Sequence, residues 1–437
     1  MNRLALPLLA FVLAAAPLAA QEADAPKPDA AKTESQRLQE LERKVDILSR
    51  QLEAQQVGEA APAPSEGSYG LGASASKVYA APGGLSVGGY GEFLYQAYDK
   101  KLQDGTVDRV NDQFDTLRGV FYVGYKFNDR IVFNSEMEFE HSGYSDEHPE
   151  GEAILEFAYL DFLVSKSLNV RAGQVLLPLG FTNEQHEPPA VLSAQRPYLE
   201  QGGGILPSTW HENGVGLHGD LPGEFTYRVY LVEGLNAAGF SAEGIGDGRQ
   251  DGNKAVADRF ALTGRLDWRP LPGTTAGFGF YRGSSVYSPG GAPVTVTVPT
   301  TILEGHAEFR AAGWQLRGLY AQTRLGATEL AQLGAADPAF QAGTRQWGGY
   351  LEAGYDALAR TGSRQALIPF VRWERINTQA EVVPGAGVDP ANDRSILTGG
   401  LSWKPIPQIA VKADYSRIQN GARTGRNVMS VALGYEF

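Results

Sequence analysis

A period-two alternation of apolar and polar residues constrains the fold of this chain more than any other feature. Residues 130–141 place apolar side chains such as Phe139 on one face and Glu136, Glu138 and Glu140 on the other. This period is typical of a β-strand with one apolar face. The row of carboxylates needs water, so it faces solvent in a soluble sandwich or the lumen in a membrane barrel. The alternation alone leaves both folds open.

The connections between the alternating segments favour the barrel. Short turns follow every second candidate strand, whereas the intervening connections are polar, glycine-rich and mostly longer, which is the asymmetry of an outer-membrane barrel. The chain has 437 residues, which leaves room for sixteen spans of roughly 9–11 residues with their loops. We therefore predict an all-β fold, a transmembrane antiparallel β-barrel of about sixteen strands over residues 85–437. The candidate strands are 85–98, 114–127, 130–141, 152–165, 168–177, 213–220, 224–233, 258–268, 274–282, 301–311, 314–324, 346–355, 366–377, 394–403, 408–418 and 427–437.

The region before the barrel divides into four segments. Residues 1–20 carry Arg3, an apolar run and small residues, which predicts a cleaved secretory signal peptide; a retained anchor is the alternative. A spacer (21–32) precedes a predicted coiled-coil helix (33–56), and an Ala/Pro/Gly-rich stretch (57–84) reads as a flexible linker. The helix has an apolar a/d seam that indicates self-association, with a lone or surface-bound amphipathic helix as the alternative. The seam comprises Leu38, Leu41, Val45, Leu48 and Leu52.

Composition excludes several functions. The formal net charge is −12 and there are no cysteines, which argues against nucleic-acid binding, a disulfide scaffold and a thiol nucleophile. The pair Ser208 and His211 is the one tempting serine–histidine combination, but it has no evident carboxylate partner. We therefore expect no enzyme, no cofactor and no metal, and read His141, His148 and His186 near carboxylates as solvated loop residues rather than ligands.

Barrel size points to a channel. Wall side chains cannot fill a barrel of sixteen strands, which predicts an aqueous pore. The longest connection, about 178–212, is predicted to fold inward as a constriction loop. Charged wall and loop groups would create a transverse field that filters ions. In particular, we expect Arg118, Arg171, Arg228 and Arg265 to face acidic loop residues; the alternative is that such residues form salt bridges that hold the loop against the wall. The predicted pore-lining set is Arg118, Arg171, Arg228, Arg265, Arg317, Glu136, Glu138, Glu184, Glu187 and Arg196.

The last predicted strand alternates apolar and polar residues and ends at Phe437. This pattern resembles the terminal strand by which bacterial outer-membrane proteins are recognised, so we expect Phe437 to act as an insertion signal for the barrel assembly machinery.

Four stretches resemble the phosphate-selective porin O and P family of bacterial outer-membrane channels: the coiled-coil segment, GGYGEFLYQAY, VRAGQVLLPLGFTNEQHEPP and the final GYEF. The resemblance implies a homotrimer of sixteen-stranded barrels in outer-membrane lipid, without a cofactor and with passive transport. It does not supply the solute, because the basic residues of the family cannot be matched here one by one. We expect a Gram-negative outer-membrane porin for small hydrophilic solutes or ions, with anions such as phosphate as one case. The alternative is an outer-membrane barrel that acts mainly as an adhesin or receptor, and an outer-membrane hydrolase is a less favoured alternative.

Overall fold

The computed structural model describes residues 43–44, 67–143, 151–202 and 204–437. The chain divides into two units, 1–62 and 63–437. In the first unit, Arg43 and Lys44 are helical and exposed. The predicted signal peptide, spacer and coiled-coil seam lie outside the described residues and stay predictions. Among the described residues, no helix is both long and apolar enough to span a bilayer.

The second unit is a closed barrel of sixteen antiparallel strands, and β1 pairs with β16 to complete the wall. This confirms the predicted barrel and strand number. Two short helices, α1 (Lys77–Ala80) and α2 (Ala327–Ala336), accompany the strands. The strands are β1 (Gly84–Tyr98), β2 (Gln113–Asn128), β3 (Ile131–Glu140), β4 (Glu152–Leu163), β5 (Asn169–Leu176), β6 (His211–Leu221), β7 (Phe225–Glu233), β8 (Phe260–Trp268), β9 (Thr274–Tyr287), β10 (Val296–Ala311), β11 (Trp314–Leu325), β12 (Arg345–Tyr355), β13 (Ala366–Glu381), β14 (Asp393–Ile406), β15 (Ile409–Asn420) and β16 (Val428–Glu436).

The wall has an apolar outside and a polar inside. On β3, Met137 and Phe139 are 36% and 45% exposed, whereas Glu136 and Glu138 are 0% and 2% exposed. The same inversion recurs around the barrel, where Leu351 is 65% exposed. A soluble protein would bury these apolar groups, so this exterior fits contact with lipid hydrocarbon.

A β-bulge interrupts the alternation on β4. Glu136 pairs with Phe157 and the next residue, Met137, pairs with Leu155, so Glu156 is the extra residue. Glu156 and Phe157 are both fully buried, while Leu155 remains exposed on the outer face. A bulge adds one residue to a strand and re-aims its side chains. Here it brings a carboxylate to the inner face without burying Leu155.

Residues 67–83 pack inside the barrel beside β1, β2 and β3, so the flexible-linker interpretation is wrong for this part of 57–84. Leu71 and Val78 are 1% and 2% exposed. Wall groups hold the segment, since the Asn134 amide donates to the carbonyl oxygen of Ala75 at 2.8 Å. Gly124 permits the close approach, because a Cβ there would lie 2.7 Å from the Val78 side chain. Apolar residues dispersed in an Ala/Gly/Ser-rich stretch thus find their partners on the inner wall.

The seam between β1 and β16 extends to the last residue. The backbone N–H of Phe437 donates to the carbonyl of Gly89 at 2.9 Å, and the N–H of Gly89 donates back at 3.1 Å. The Ser74 hydroxyl, from the inner segment, also donates to the Phe437 carbonyl at 2.5 Å. The role of Phe437 in insertion stays a prediction.

Candidate functional site: the barrel interior

The connection between β5 and β6, residues 177–210, lies inside the barrel, where the constriction loop of about 178–212 was predicted. Glu200 organises it by accepting hydrogen bonds from the N–H groups of Phe181 and Thr182 at 2.6 and 2.8 Å. The same carboxylate accepts from the Tyr350 hydroxyl on β12 at 2.8 Å. One buried glutamate therefore fixes the loop's own turn and its attachment to the wall.

One side of the loop is held by β7 and β8. Arg228 Nε lies 2.9 Å from Glu184 Oε1, and Arg228 Nη2 lies 3.0 Å from Asp267 Oδ2. Arg265 contacts Asp267 Oδ1 at 2.7 Å and donates to the loop carbonyl of Gly180. Burial raises the pKa of Glu184, while the neighbouring Arg228 and Arg265 oppose that shift. Among the described residues, the pair of Arg228 and Glu184 is the one ion pair that joins a wall arginine directly to an acidic loop residue.

The opposite side of the loop is held by β13 and β15. Arg372 is 1% exposed and contacts Ser193 Oγ at 2.5 Å. Lys412 Nζ donates to the Ser193 carbonyl at 3.0 Å, and Asp414 accepts from the Ala194 N–H at 2.6 Å. The sequence reasoning missed Arg372 as a site residue. The alternation on β13 carried the signal, since Arg372 and Glu374 share the inner face, and Arg372 Nε donates to Glu374 at 2.8 Å.

Arg171 makes its direct ion pair with a wall carboxylate and not with the expected acidic loop residue, although its charge, like those of Arg228 and Arg265, opposes the raised pKa of Glu184 in the loop. Its guanidinium forms two bonds with Asp161, on the adjacent strand, at 3.0 and 2.9 Å. It also lies 3.3 Å from the hydroxyls of Tyr79 and Tyr230. Asp161 was not foreseen, because strict alternation cannot place both Glu156 and Asp161, five residues apart, on one face. The bulge on β4 resolves this conflict.

Arg118, Arg265 and Arg317 also pair with wall carboxylates. Arg118 lies within 3.3–3.8 Å of glutamates on β1 and β3, which corrects its expected loop partner. Arg265 meets the loop through a carbonyl group rather than a carboxylate. Arg317 contacts Glu308 at 2.7 and 2.9 Å and stacks 4.7 Å above the Phe181 ring of the loop. The contacts of Arg265 and Arg317 with the loop match the alternative in which charged wall groups hold the loop in place, whereas the Arg118 pairs join wall strands to one another.

His186, Glu187 and Arg196 lie on the loop surface facing β2 to β4. His186 Nε2 is 2.9 Å from Glu136 Oε1, and burial together with Arg196 lowers the pKa of His186 to about 4. The Tyr122 hydroxyl donates to Glu187 at 3.4 Å, and burial raises the pKa of Glu187. Arg196 donates to Ser208 Oγ at 3.0 Å. The imidazole is therefore neutral and bonded to the wall at ordinary pH.

The candidate hydrolase pair is engaged elsewhere. Ser208 Oγ accepts from Arg196. His211 Nδ1 bonds to the Thr209 carbonyl at 2.6 Å, and its Nε2 lies 3.8 Å from Asp251.

A cavity of about 570 Å³ lies at the end of the barrel that carries the short turns. Its lining includes Tyr69 of the inner segment, Lys166 and Arg269 of the turns, and His218 and Arg228 of the wall. Both signs of charge line it, since Asp129 and Asp220 also contribute. The loop and residues 67–83 otherwise occupy the interior at the level of the buried wall residues, so strand number alone does not set the width of the passage.

Comparison with known proteins places the chain. It is 33% identical over 377 residues to a protein of Aquifex aeolicus (strain VF5) described as an uncharacterized protein, covering 84% of this chain and 83% of that protein. The chain belongs to the same family as that protein. No family model matches the chain, and the resemblance to the phosphate-selective porin O and P family stays a prediction.

Solved structures share the fold. An anion-selective porin from Comamonas acidovorans aligns with a TM-score of 0.51 at 12% identity, covering 81% of this chain and 99% of that chain. The outer-membrane channel DcaP of Acinetobacter baumannii aligns with a TM-score of 0.51 at 10% identity, covering 81% and 97%. OmpTdeltaL8, a loop L8 deletion mutant of an outer membrane protein of Vibrio cholerae, gives 0.51 at 12% identity, covering 82% and 100%. The fold is the sixteen-stranded barrel of outer-membrane porins.

Proposed function

We propose that the chain is an outer-membrane porin that lets small hydrophilic solutes or ions diffuse passively across a Gram-negative outer membrane. The observation that carries this proposal is the inverted polarity of a closed sixteen-stranded wall, with Leu351 and its counterparts outside and charged groups inside. Lipid hydrocarbon would contact the apolar outer surface, and water would solvate the charged inner surface. The porins and channels with the same fold support the proposal.

The loop at 177–210 and the charged groups around it define the proposed passage. Arg171, Arg228, Arg265, Arg317 and Arg372 each contact a carboxylate at 3.1 Å or less. Their charge is largely compensated, which favours weak selectivity over a dedicated row of phosphate-binding arginines.

The proposal includes partners. We propose a homotrimer in outer-membrane lipid, assembled by the barrel assembly machinery and supported by the predicted helix at 33–56. We also propose that the protein acts without catalysing a reaction. The engagement of Ser208 with Arg196 supports this view, because the hydroxyl is not bonded to a general base.

Single-channel recording tests the function. Protein lacking residues 1–20, folded in detergent, is added to planar bilayers under a salt gradient. We expect stepwise conductance, in groups of three for a trimer, with a reversal potential near zero. Arg228→Gln should shift the reversal potential, whereas Arg345→Gln, in an exposed pair with Glu381, should not. Absence of conductance from a barrel that shows heat-modifiable mobility on gels would refute the channel.

A further inference from the structure

Three histidines on or against the inner wall contact buried carboxylates. In two of these clusters an arginine neutralises the carboxylate. These clusters are His218–Asp161–Arg171 and His306–Asp267–Arg265. In the second, Glu304 also contacts His306 at 2.9 Å, and Arg228 adds a second cation beside Asp267. Both clusters therefore carry their own positive charge.

The third cluster consists of Glu136, Glu156 and His186. Their side chains are 0%, 0% and 2% exposed. When all carboxyl groups are ionised, Glu136 Oε2 and both carboxylate oxygens of Glu156 are buried without a hydrogen-bond donor among the described residues. The polar neighbours of Glu156 include the carboxyl groups of Glu136 and Glu138, which can donate only when they are protonated. An ion pair with arginine or lysine is likewise absent from Glu136 and Glu156 in the described part of the chain. Arg196 of the loop acts on Glu136 and Glu156 only from beyond ion-pair distance. Unpartnered buried carboxylates are costly, so this cluster lacks the directly bonded cation that the other two possess.

Three separate elements of the chain supply the residues of this cluster. Glu136 comes from β3, Glu156 comes from the bulge on β4, and His186 comes from the inner loop. Bulges occur next to functional sites, where they re-aim a side chain. Without the bulge, strict alternation back from the inward-facing Tyr159 and Asp161 would place Glu156 on the outer face. The extra residue thus has a specific effect, which is to complete the cluster.

The spacing of the donor atoms suits a small metal ion. His186 Nε2 lies 2.9 Å from Glu136 Oε1 and 3.7 Å from Glu156 Oε2, and one ligand atom from each residue falls within 4.8 Å of the others. Ligand distances of about 2.0–2.2 Å around tetrahedral zinc separate neighbouring donors by roughly 3.3 Å. The observed distances bracket that value.

We propose that Glu136, Glu156 and His186 form a binding site for a divalent transition-metal ion of the zinc or manganese class. Imidazole nitrogen and carboxylate oxygen are both ligands of Zn²⁺, and carboxylates suit Mn²⁺, so either ion accepts this donor set. A bound dication would displace the protons of the two carboxyl groups, and the two negative charges that result would balance it. The bound ion would join the inner loop to β3 and β4. This proposal differs from the sequence-based expectation that the chain binds no metal.

A shared proton is the competing explanation, because two buried carboxyl groups can also be relieved by protonation. A metal ion requires both carboxylates and the imidazole, whereas a carboxyl–carboxylate pair has no need of added metal. Metal uptake therefore separates the two explanations. It is also independent of conductance, so failure of the channel proposal and failure of this one are distinguishable.

The experiment measures metal content of untagged protein lacking residues 1–20, because a histidine tag would bind metal itself. The folded protein in detergent is stripped with EDTA, equilibrated with Zn²⁺ or, separately, Mn²⁺, and freed of unbound ion before elemental analysis. We expect about one ion per chain, with at least a tenfold lower affinity in Glu156→Gln. Glu304→Gln is the matched control, since it alters a histidine–carboxylate cluster that already has its arginines, and it should retain the wild-type affinity.

Folding is checked for each variant by heat-modifiable gel mobility, and His186→Gln provides a second variant should Glu156→Gln fail to fold. Added Zn²⁺ should raise the unfolding temperature of the wild type and of Glu304→Gln, but not of either site variant. Failure of the wild type to retain either ion would overturn the proposal in favour of the shared proton. Equal affinity in wild type and folded Glu156→Gln would overturn it as well.

Discussion

The ion pair between Arg228 and Glu184 offers a direct test of how the inner loop is held. Its nitrogen and oxygen are 2.9 Å apart and each side chain is 5% exposed. Arg228→Gln leaves Glu184 buried without its cation and removes one of the positive charges beside Asp267. Glu184→Gln leaves Arg228 with Asp267. The two single variants should therefore lower the free energy of unfolding by different amounts.

The expected magnitudes follow from burial. Coulomb's law at an effective dielectric constant of 20 gives about 6 kcal/mol for unit charges at this distance, before the cost of desolvation. Removing one partner of a buried pair costs about 3–5 kcal/mol, which we assign to Arg228→Gln. Glu184→Gln removes one charge of the ion pair but leaves Arg228 paired with Asp267, so we assign it the smaller cost of about 1–3 kcal/mol for a buried polar group that loses its partner. The double variant should be less destabilised than the sum of the two by about 1–3 kcal/mol.

Urea unfolding in detergent micelles, followed by tryptophan fluorescence and gel mobility, measures these free energies. The exposed pair between Arg345 and Glu381 is the control, with a similar separation of 2.7 Å but side chains 30% and 60% exposed. The corresponding cycle there should give a coupling of about 0–1 kcal/mol. If the Arg228–Glu184 coupling is no larger than the control value, the buried pair does not anchor the loop and the reasoning fails.

Three further predictions concern the packing of the interior and the outer surface. Gly434→Ala places a Cβ 2.3 Å from Pro188 on the inner loop and should destabilise the protein by about 1–3 kcal/mol in the same urea assay, whereas Gly399→Ala, whose nearest neighbour is 4.0 Å away, should be near neutral. Leu351→Arg introduces a charge into the lipid-facing surface and should lower the free energy of unfolding in vesicles by about 2–4 kcal/mol; an unchanged value would contradict the outward assignment. Deletion of residues 67–83 should increase single-channel conductance, and equal conductance would show that the segment does not obstruct the passage.

The strands were largely predictable from the sequence because alternation is a local signal that the pleated backbone enforces. Met137 and Phe139 face outward and Glu136 and Glu138 inward, as their spacing indicates. Some strands are longer than their predicted spans. β10, for example, begins at Val296 rather than at residue 301.

The pairing inside the barrel was less predictable, because it depends on contacts between residues far apart in sequence. The sequence predicts an acidic loop residue as the partner of Arg171, but its guanidinium bonds to Asp161 on the neighbouring strand β4. The inner segment at 67–83 has a linker's composition, and its burial comes from wall positions such as Gly124 that sequence spacing does not associate with Val78. Charge patterns thus indicated which face is wet, but not which partners meet there.

The contacts of the inner loop have a consequence for the order of assembly. Ser193 and Ala194 reach partners 179 and 220 residues later in the chain, Arg372 and Asp414. Contacts of such long sequence separation form late, because the intervening chain must first be brought together. When β5 and β6 first pair, the later strands β13 and β15, which bind Ser193 and Ala194, have therefore not yet joined the sheet. Formation of the contact between Ser193 and Arg372 would therefore be a kinetic marker for closure of the barrel.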